Sequence, residues 1–227
     1  MTDYRMLNAV AYERLRDMIH KNELEFDVIY SETRFAADLA ISRTPVREAL
    51  VRLSSEHYID ILPSRGFVLH KPTESDLLEA YHVRMASESY CSELLARENQ
   101  TESAMAVIRT MRQLLERQRE AGQSYQERKV DFWDLDVQFH AAAVGYLQSA
   151  TFDTLFKTFM HFFVSLRIKD FIGRGRNRST LLEHERIVRA LEHGDAAEAK
   201  DAVRQHLMQS LEFSLVSLNQ EDGGADG

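Results

Sequence analysis

Apolar residues recur at helical spacing from the start of the chain, then change period, then return to helical spacing for most of its length. Val10, Leu15, Met18 and Ile19 predict a helix over about 8–21. Phe35, Ala36 and Leu39 predict a second over about 32–39, with Ser31 placed to cap it. Val46, Leu50, Val51 and Leu53 predict a third, from just after Ser42 to about 56. The period then shortens. YIDIL (58–62), PSRG (63–66) and FVLHK (67–71) read as two short strands joined by a turn.

Pro72 and Thr73 mark a boundary, after which nearly every segment reads as helix. Thr73 opens a capping-box pattern, T-E-S-D, and helices are predicted at about 74–97, 101–121, 125–147, 151–171, 179–193 and 195–218. Gly122 ends one of them, and the loop GRGRNRS (173–179) separates two more, its arginines expected in solvent. His193-Gly194-Asp195 combines a C-cap glycine with a new N-cap, completed by Glu198. The tail EDGGADG (221–227) is expected to be disordered. The fold class is therefore mainly α: a winged helix-turn-helix over 1–72, then an all-helical bundle of six to seven helices over 73–220.

Composition supports this reading. Only three prolines and nine glycines punctuate 227 residues, which favours long helices over many-turned β architecture. The single cysteine, Cys91, rules out an intrachain disulfide and fits a reducing cytoplasm. The N-terminal stretch carries charges throughout and lacks an apolar signal core, and FMHFFVSL (159–166) is too short to span a bilayer. A cytoplasmic protein with no membrane partner is expected. The net charge of −8 argues against a generic polyanion binder. It is unevenly spread, with ten Lys/Arg against eleven Asp/Glu up to residue 72, and eighteen against twenty-five beyond it.

That imbalance directs attention to the start of the third helix. Ser42 suits an N-cap, so Arg43 and Thr44 occupy a first turn whose backbone N–H groups lack helical partners. Arginine there opposes the helix dipole. A DNA major groove supplies the reason, because arginine binds guanine bidentately and Thr44 can take phosphate. Arg47 lies on the same face, Arg34 stands on the preceding helix, and Arg65-Gly66 tips the predicted hairpin. A solvated basic face explains any one arginine; the whole set points to double-stranded DNA.

The helical part holds a different pattern. Asp136 and His140, at i and i+4, share a face with Trp133, Val137 and Val144. His184 lies in the stripe of Leu181, Ile187, Val188 and Leu191, and His206 accompanies Val203 and Leu207. One inward histidine usually belongs to a hydrogen-bonded core. Four ligand-type groups on three apolar faces can instead satisfy one another around one divalent cation per chain, with Zn, Ni, Mn or Fe all admissible. A buried metal with open positions also admits a hydrolase or lyase, but no general base stands beside the four candidates.

Residues 31–69, SETRFAADLAISRTPVREALVRLSSEHYIDILPSRGFVL, resemble the DNA-binding domain of the GntR family of bacterial transcription regulators. The resemblance implies DNA contacts from Arg34, Arg43, Thr44 and Arg47, with Gly66 against the minor groove. Phe26-Asp27 stands where the family has Pro-Gly, Asn22 where it has a glycine, and Ala40 replaces a turn glycine. An alanine fits there with negative φ, or with modest strain. Residues 75–218 resemble the FCD effector domain of the FadR branch. D-x-x-x-H, then E-H-x-x-I, then a histidine 22 residues later fall on Asp136, His140, His184 and His206; six helices would bring it nearer the VanR-type subgroup. By that resemblance a small organic acid binds at or beside the metal. Arg84 and Arg167 are candidates to clamp its carboxylate, with His161 lining the pocket, although Arg84 is equally placed to pair with Glu88. The expected function is a ligand-responsive regulator, by default a repressor, that reads a pseudo-palindromic operator as a homodimer.

Overall fold

The computed structural model describes residues 4–21, 23–123, 129–165 and 176–222. The chain divides into two compact units, the first ending at Pro72 and the second opening at Thr73.

In the first unit, helix α1 (Tyr4–His20) packs on α3 (Arg43–Ser55), with the shorter α2 (Glu32–Asp38) against α3. Strands β1 (Ile59–Leu62) and β2 (Gly66–Leu69) form an antiparallel hairpin that pairs Ile59 with Leu69 and Leu62 with Gly66. Its core is Ala11, Leu15 and Ile19 from α1, Phe35 from α2, Val46, Ala49, Leu50 and Leu53 from α3, and Ile59 and Phe67 from the strands. Two expected core residues face outward. Val10 and Val51 are 52% and 55% exposed, because the inward spacing is set by Ala11-Leu15-Ile19 and by Val46-Ala49-Leu50-Leu53. Alanine at a close helix contact carries little hydrophobic signal, and a neighbouring valine drew the predicted stripe off by one position.

The turn between α2 and α3 keeps its shape without glycine. Ala40 adopts φ 54°, and its N–H bonds Ala37 O while Ile41 N–H bonds Ala36 O, at 3.0 and 3.1 Å. These are the two bonds of a left-handed helix cap. Asp27 likewise takes φ 63°. The chain accepts left-handed strain here rather than altering the turn. Asn22 lies outside the described residues. At Gly66, φ is 129°, and a Cβ would stand 2.1 Å from the carbonyl oxygen of Tyr30. Tyr30 bridges to Phe67 as a third strand position, with both backbone bonds made at 2.8 and 3.0 Å. The glycine is therefore demanded by the hairpin's own packing.

The second unit holds six helices among the described residues: α4 (Glu74–Arg97), α5 (Glu102–Gln123), α6 (Lys129–Gly145), α7 (Ala150–Ser165), α8 (Arg176–His193) and α9 (Ala196–Asp222). Thr73 and Asp76 close the expected capping box on α4. Helix α4 is central. It buries a continuous stripe of Leu77, Tyr81, Arg84, Glu88, Cys91 and Leu95 and packs against α6, α8 and α9, while α5 packs on α6 and α8. Gly194, at φ 72°, ends α8, and Asn99 donates to the carbonyls of Leu191 and Glu192 there.

Helix α1 starts at Tyr4, earlier than the expected 8, and two places in the second unit also differ from the sequence reading. Arg176, expected in a solvated loop, lies in helix α8 and is held by partly buried partners described below. Helix α9 continues to Asp222, two residues into the expected disordered tail. Among the described residues no helix is long and apolar enough to cross a membrane.

Candidate functional site

The first candidate surface is the start of α3. Ser42 has the extended backbone of an N-cap, but its side chain makes no capping bond, contrary to expectation. Ser31 does cap α2, accepting from Arg34 N–H at 3.3 Å. The side chains of Arg43 and Arg47 are 59% and 67% exposed, and each aims its Nε at Glu32, at 3.3 and 3.6 Å. Glu32 itself sits in the first turn of α2, where a carboxylate complements the helix dipole. A groove of about 270 Å³ is bordered by Glu32, Arg43 and Arg47 on one side and by Arg65 and Gly66 of the hairpin on the other. Arg34, Ser42 and Thr44 are exposed but do not line it. Glu32 escaped the sequence reading, which looked for cations.

The second candidate lies inside the helical unit. Asp136 and His140 of α6, His184 of α8 and His206 of α9 are all buried, and the three imidazoles offer ligand atoms within 4.8 Å of one another. His140 Nε2 and His206 Nε2 are 3.1 Å apart. Asp136 places its oxygens 3.5 Å from His184 Nε2 and 3.9 Å from His140 Nε2.

What stands behind each ring fixes its tautomer. Gln118 of α5 donates through Nε2 to Asp136 Oδ1 at 3.1 Å, so its oxygen, 2.9 Å from His184 Nδ1, accepts from that nitrogen. His140 Nδ1 stands 2.6 Å from Glu88 Oε2, and His206 Nδ1 stands 2.7 Å from Glu183 Oε2. A proton on each Nδ1, facing these three oxygens, leaves three Nε2 lone pairs converging. His184 Nε2 is buried without a hydrogen-bond partner among the described residues. Burial, with the neighbouring imidazoles, pushes His184 well below its ordinary pKa, and burial followed by His140 does the same to His206. Neutral imidazoles with inward lone pairs are metal ligands in waiting. Bonds of about 2.0–2.1 Å to one ion set neighbouring donors roughly 3.0–3.4 Å apart; His140 and His206 meet this at 3.1 Å, and Asp136 stands slightly wider at 3.5 and 3.9 Å. The donor set fits a divalent cation.

Beside the histidines is a cavity of about 40 Å³ whose wall includes Asp136, His206, Arg84, Arg176, Trp133 and Tyr81. Arg84 pairs with Glu88 at 2.6 Å, as its i, i+4 spacing allowed, and also reaches the cavity. Burial raises the Glu88 carboxyl, but Arg84 and His140 outweigh it and hold the group at about 2. Arg176 bonds Glu183 at 2.9 Å and Ser210 at 2.8 Å. Arg167 lies outside the described residues, as does the side chain of His161, whose backbone is in α7. Gln118 and Arg176 were not found from sequence, and Glu183, the first residue of E-H-x-x-I, was given no role there.

Comparison with known proteins identifies both parts of the chain. Residues 7–69 match the gntR family of bacterial regulatory proteins, and residues 79–209 match the FCD domain. The chain belongs to the GntR family, with an FCD domain. This GntR chain is 28% identical, over 86% of its length and 80% of the relative's, to an HTH-type transcriptional regulator in an unstable DNA locus of Streptomyces ambofaciens. Its likeness to the gluconate operon transcriptional repressor of Bacillus licheniformis is 40% over 85 residues, covering 37% of this chain and 35% of that one. A GntR transcriptional regulator from Rhodococcus sp. RHA1 shares the fold, with TM-score 0.66, 22% identity and coverage of 94% and 97%. The GntR chain is a DNA-binding transcription regulator and not an enzyme, so the hydrolase or lyase alternative falls.

Proposed function

We propose that this regulator is a repressor that binds a pseudo-palindromic operator as a homodimer and loses affinity when a small organic acid occupies the helical unit. Arg43 and Arg47 read base edges, with Arg34, Ser42, Thr44, Arg65 and Gly66 supplying backbone and minor-groove contacts. A half-site spans few bases, so two heads multiply both affinity and selectivity. Asp136, His140, His184 and His206 hold one divalent cation per chain. Bound there, the cation supplies a Lewis-acidic anchor for a carboxylate. Arg84 gives that carboxylate a guanidinium partner at the cavity wall, and Arg167 and His161 complete the effector set. The cavity as it stands suits an ion with water rather than an organic acid, so side chains around it must shift to admit one. Effector and operator each favour a different arrangement of the dimer, and by linkage each weakens the other.

The observation that carries the metal and effector reading is the convergence of three imidazole Nε2 atoms, each fixed by an acceptor at its Nδ1. The gluconate repressor's match covers only the DNA-reading part, so its name brings no ligand to this chain. Metal analysis of untagged protein by mass spectrometry, beside an Asp136→Ala/His140→Ala variant, tests the site. About one divalent ion per chain, lost in the variant, is expected. Absence of metal from the wild type, even after reloading, would sink it.

A further inference from the structure

Two parallel chains of charged groups stand behind the histidines. In one, Arg84 donates from Nε to Glu88 Oε1 at 2.6 Å, and Glu88 Oε2 lies 2.6 Å from His140 Nδ1. In the other, Arg176 donates to Glu183 Oε2 at 2.9 Å, and that oxygen lies 2.7 Å from His206 Nδ1. Both arginines reach the same cavity. Both chains end on the two Nε2 atoms that face each other at 3.1 Å.

Buried Arg–Glu pairs are poor sources of stability, since desolvating two charges offsets most of their attraction and apolar side chains of equal volume serve as well. Two such pairs, Arg84–Glu88 buried and Arg176–Glu183 partly so, aimed at two rings of one cluster, need another reason. A carboxylate at Nδ1 holds the ring's orientation and tautomer and makes Nε2 a better donor. The carboxylate must itself be held. Arg176 does this from α8, its two Nη atoms donating to the two Glu183 oxygens at 3.4 and 2.9 Å, while Nη2 also donates to Ser210 at 2.8 Å and, at 3.4 Å, to the His206 carbonyl.

We infer that Glu183 and Arg176 are a positioning pair that sets the cation affinity of His206, linking the cavity wall to the ligand set without touching the ion. The inference rests on the proposed cation site. Zinc alone is the probe, titrated into chelator-stripped full-length protein in competition with a chromophoric chelator. Glu183→Gln, nearly isosteric, is expected to weaken zinc binding about 10- to 100-fold. Glu185→Gln is the control, because Glu185 lies on the same helix but pairs with Arg112 and Arg119 instead of a histidine; its zinc affinity should equal the wild type's. Equal loss in both variants, or wild-type affinity in Glu183→Gln, overturns the inference while leaving the cation site standing. No zinc binding by the wild type removes the site and the inference together. If Glu183→Gln fails to fold, Arg176→Lys carries the test. It keeps the charge but cannot span both Glu183 oxygens and reach Ser210 as the guanidinium does, so a several-fold loss is expected, and unchanged affinity refutes the pair.

Discussion

The start of α3 and the histidine cluster use the same kinds of side chain under opposite conditions. At α3 the charged groups are in solvent, and Arg43 and Arg47 share one carboxylate, Glu32, at 3.3 and 3.6 Å. Exposed pairs of this kind are worth about 0–1 kcal/mol. They are easily given up, which suits arginines that must exchange a protein partner for guanine and phosphate. In the helical unit the polar groups are buried, and each imidazole has its Nδ1 spoken for. Breaking one such contact strands a buried group, at a cost of about 1–3 kcal/mol or more. One region is organised by its partner when the partner arrives; the other is organised beforehand.

The largest test of that contrast is on the exposed side. If Arg43 and Arg47 each make a bidentate base contact worth about 1–3 kcal/mol, Arg43→Ala/Arg47→Ala should lose at least about thirtyfold in operator affinity. The fold itself should hardly change, because both side chains lie in solvent. Operator binding by fluorescence anisotropy, together with a thermal melt, separates the two effects. Full operator affinity in the double variant would mean that α3 is not the reading helix. A collapsed melting temperature would mean that these arginines are structural after all.

This asymmetry also governs what could be read from the sequence. The helix order, the hairpin and the capping box at Thr73 follow from periodicity and short-range chemistry, which are written locally. The inward stripe of Asp136, His140, His184 and His206 was legible for the same reason, since each residue sits among apolar neighbours at helical spacing. Their mutual approach is tertiary and needed the fold. The roles of Glu183 and Arg176 were missed because they depend on partners 23 and 34 residues away, His206 and Ser210. Arg176 was misassigned outright: surrounded by Gly173, Gly175, Arg174 and Arg178, it has the local composition of a solvated loop. Val10 and Val51 failed through competition with small alanines, a matter of packing distance rather than hydrophobicity.

A smaller effect is expected at Ala40, where the DNA-reading unit tolerates backbone strain. A left-handed non-glycine residue costs roughly 1–2 kcal/mol, and glycine returns part of this as chain entropy in the unfolded state. Ala40→Gly should therefore stabilise the protein by about 0.5–1 kcal/mol, seen as a shift of the denaturation midpoint without a change in slope. Destabilisation would mean that the Ala40 methyl makes a packing contribution larger than the strain. A stabilised variant with reduced operator affinity would sharpen the contrast further, since it would show the turn's stiffness serving recognition rather than folding.

The smallest signal is also the most direct report on the buried side. Cys91 lies on α4 one turn beyond Glu88 and is fully buried. Burial first, and then the Glu88 carboxylate, push its thiol up to about 12. The thiolate is the reactive form, so at pH 8 the native fraction is on the order of one in ten thousand. Iodoacetamide should leave folded protein unlabelled and alkylate it readily in denaturant. Any native labelling then measures opening of α4. A cation that binds only the folded state suppresses such opening by the factor 1 + [L]/Kd, so chelation should raise the slow native rate while the rate in denaturant stays fixed. Equal native rates with and without chelator would detach the opening of α4 from the cation site and leave the histidine cluster organised by its own hydrogen bonds.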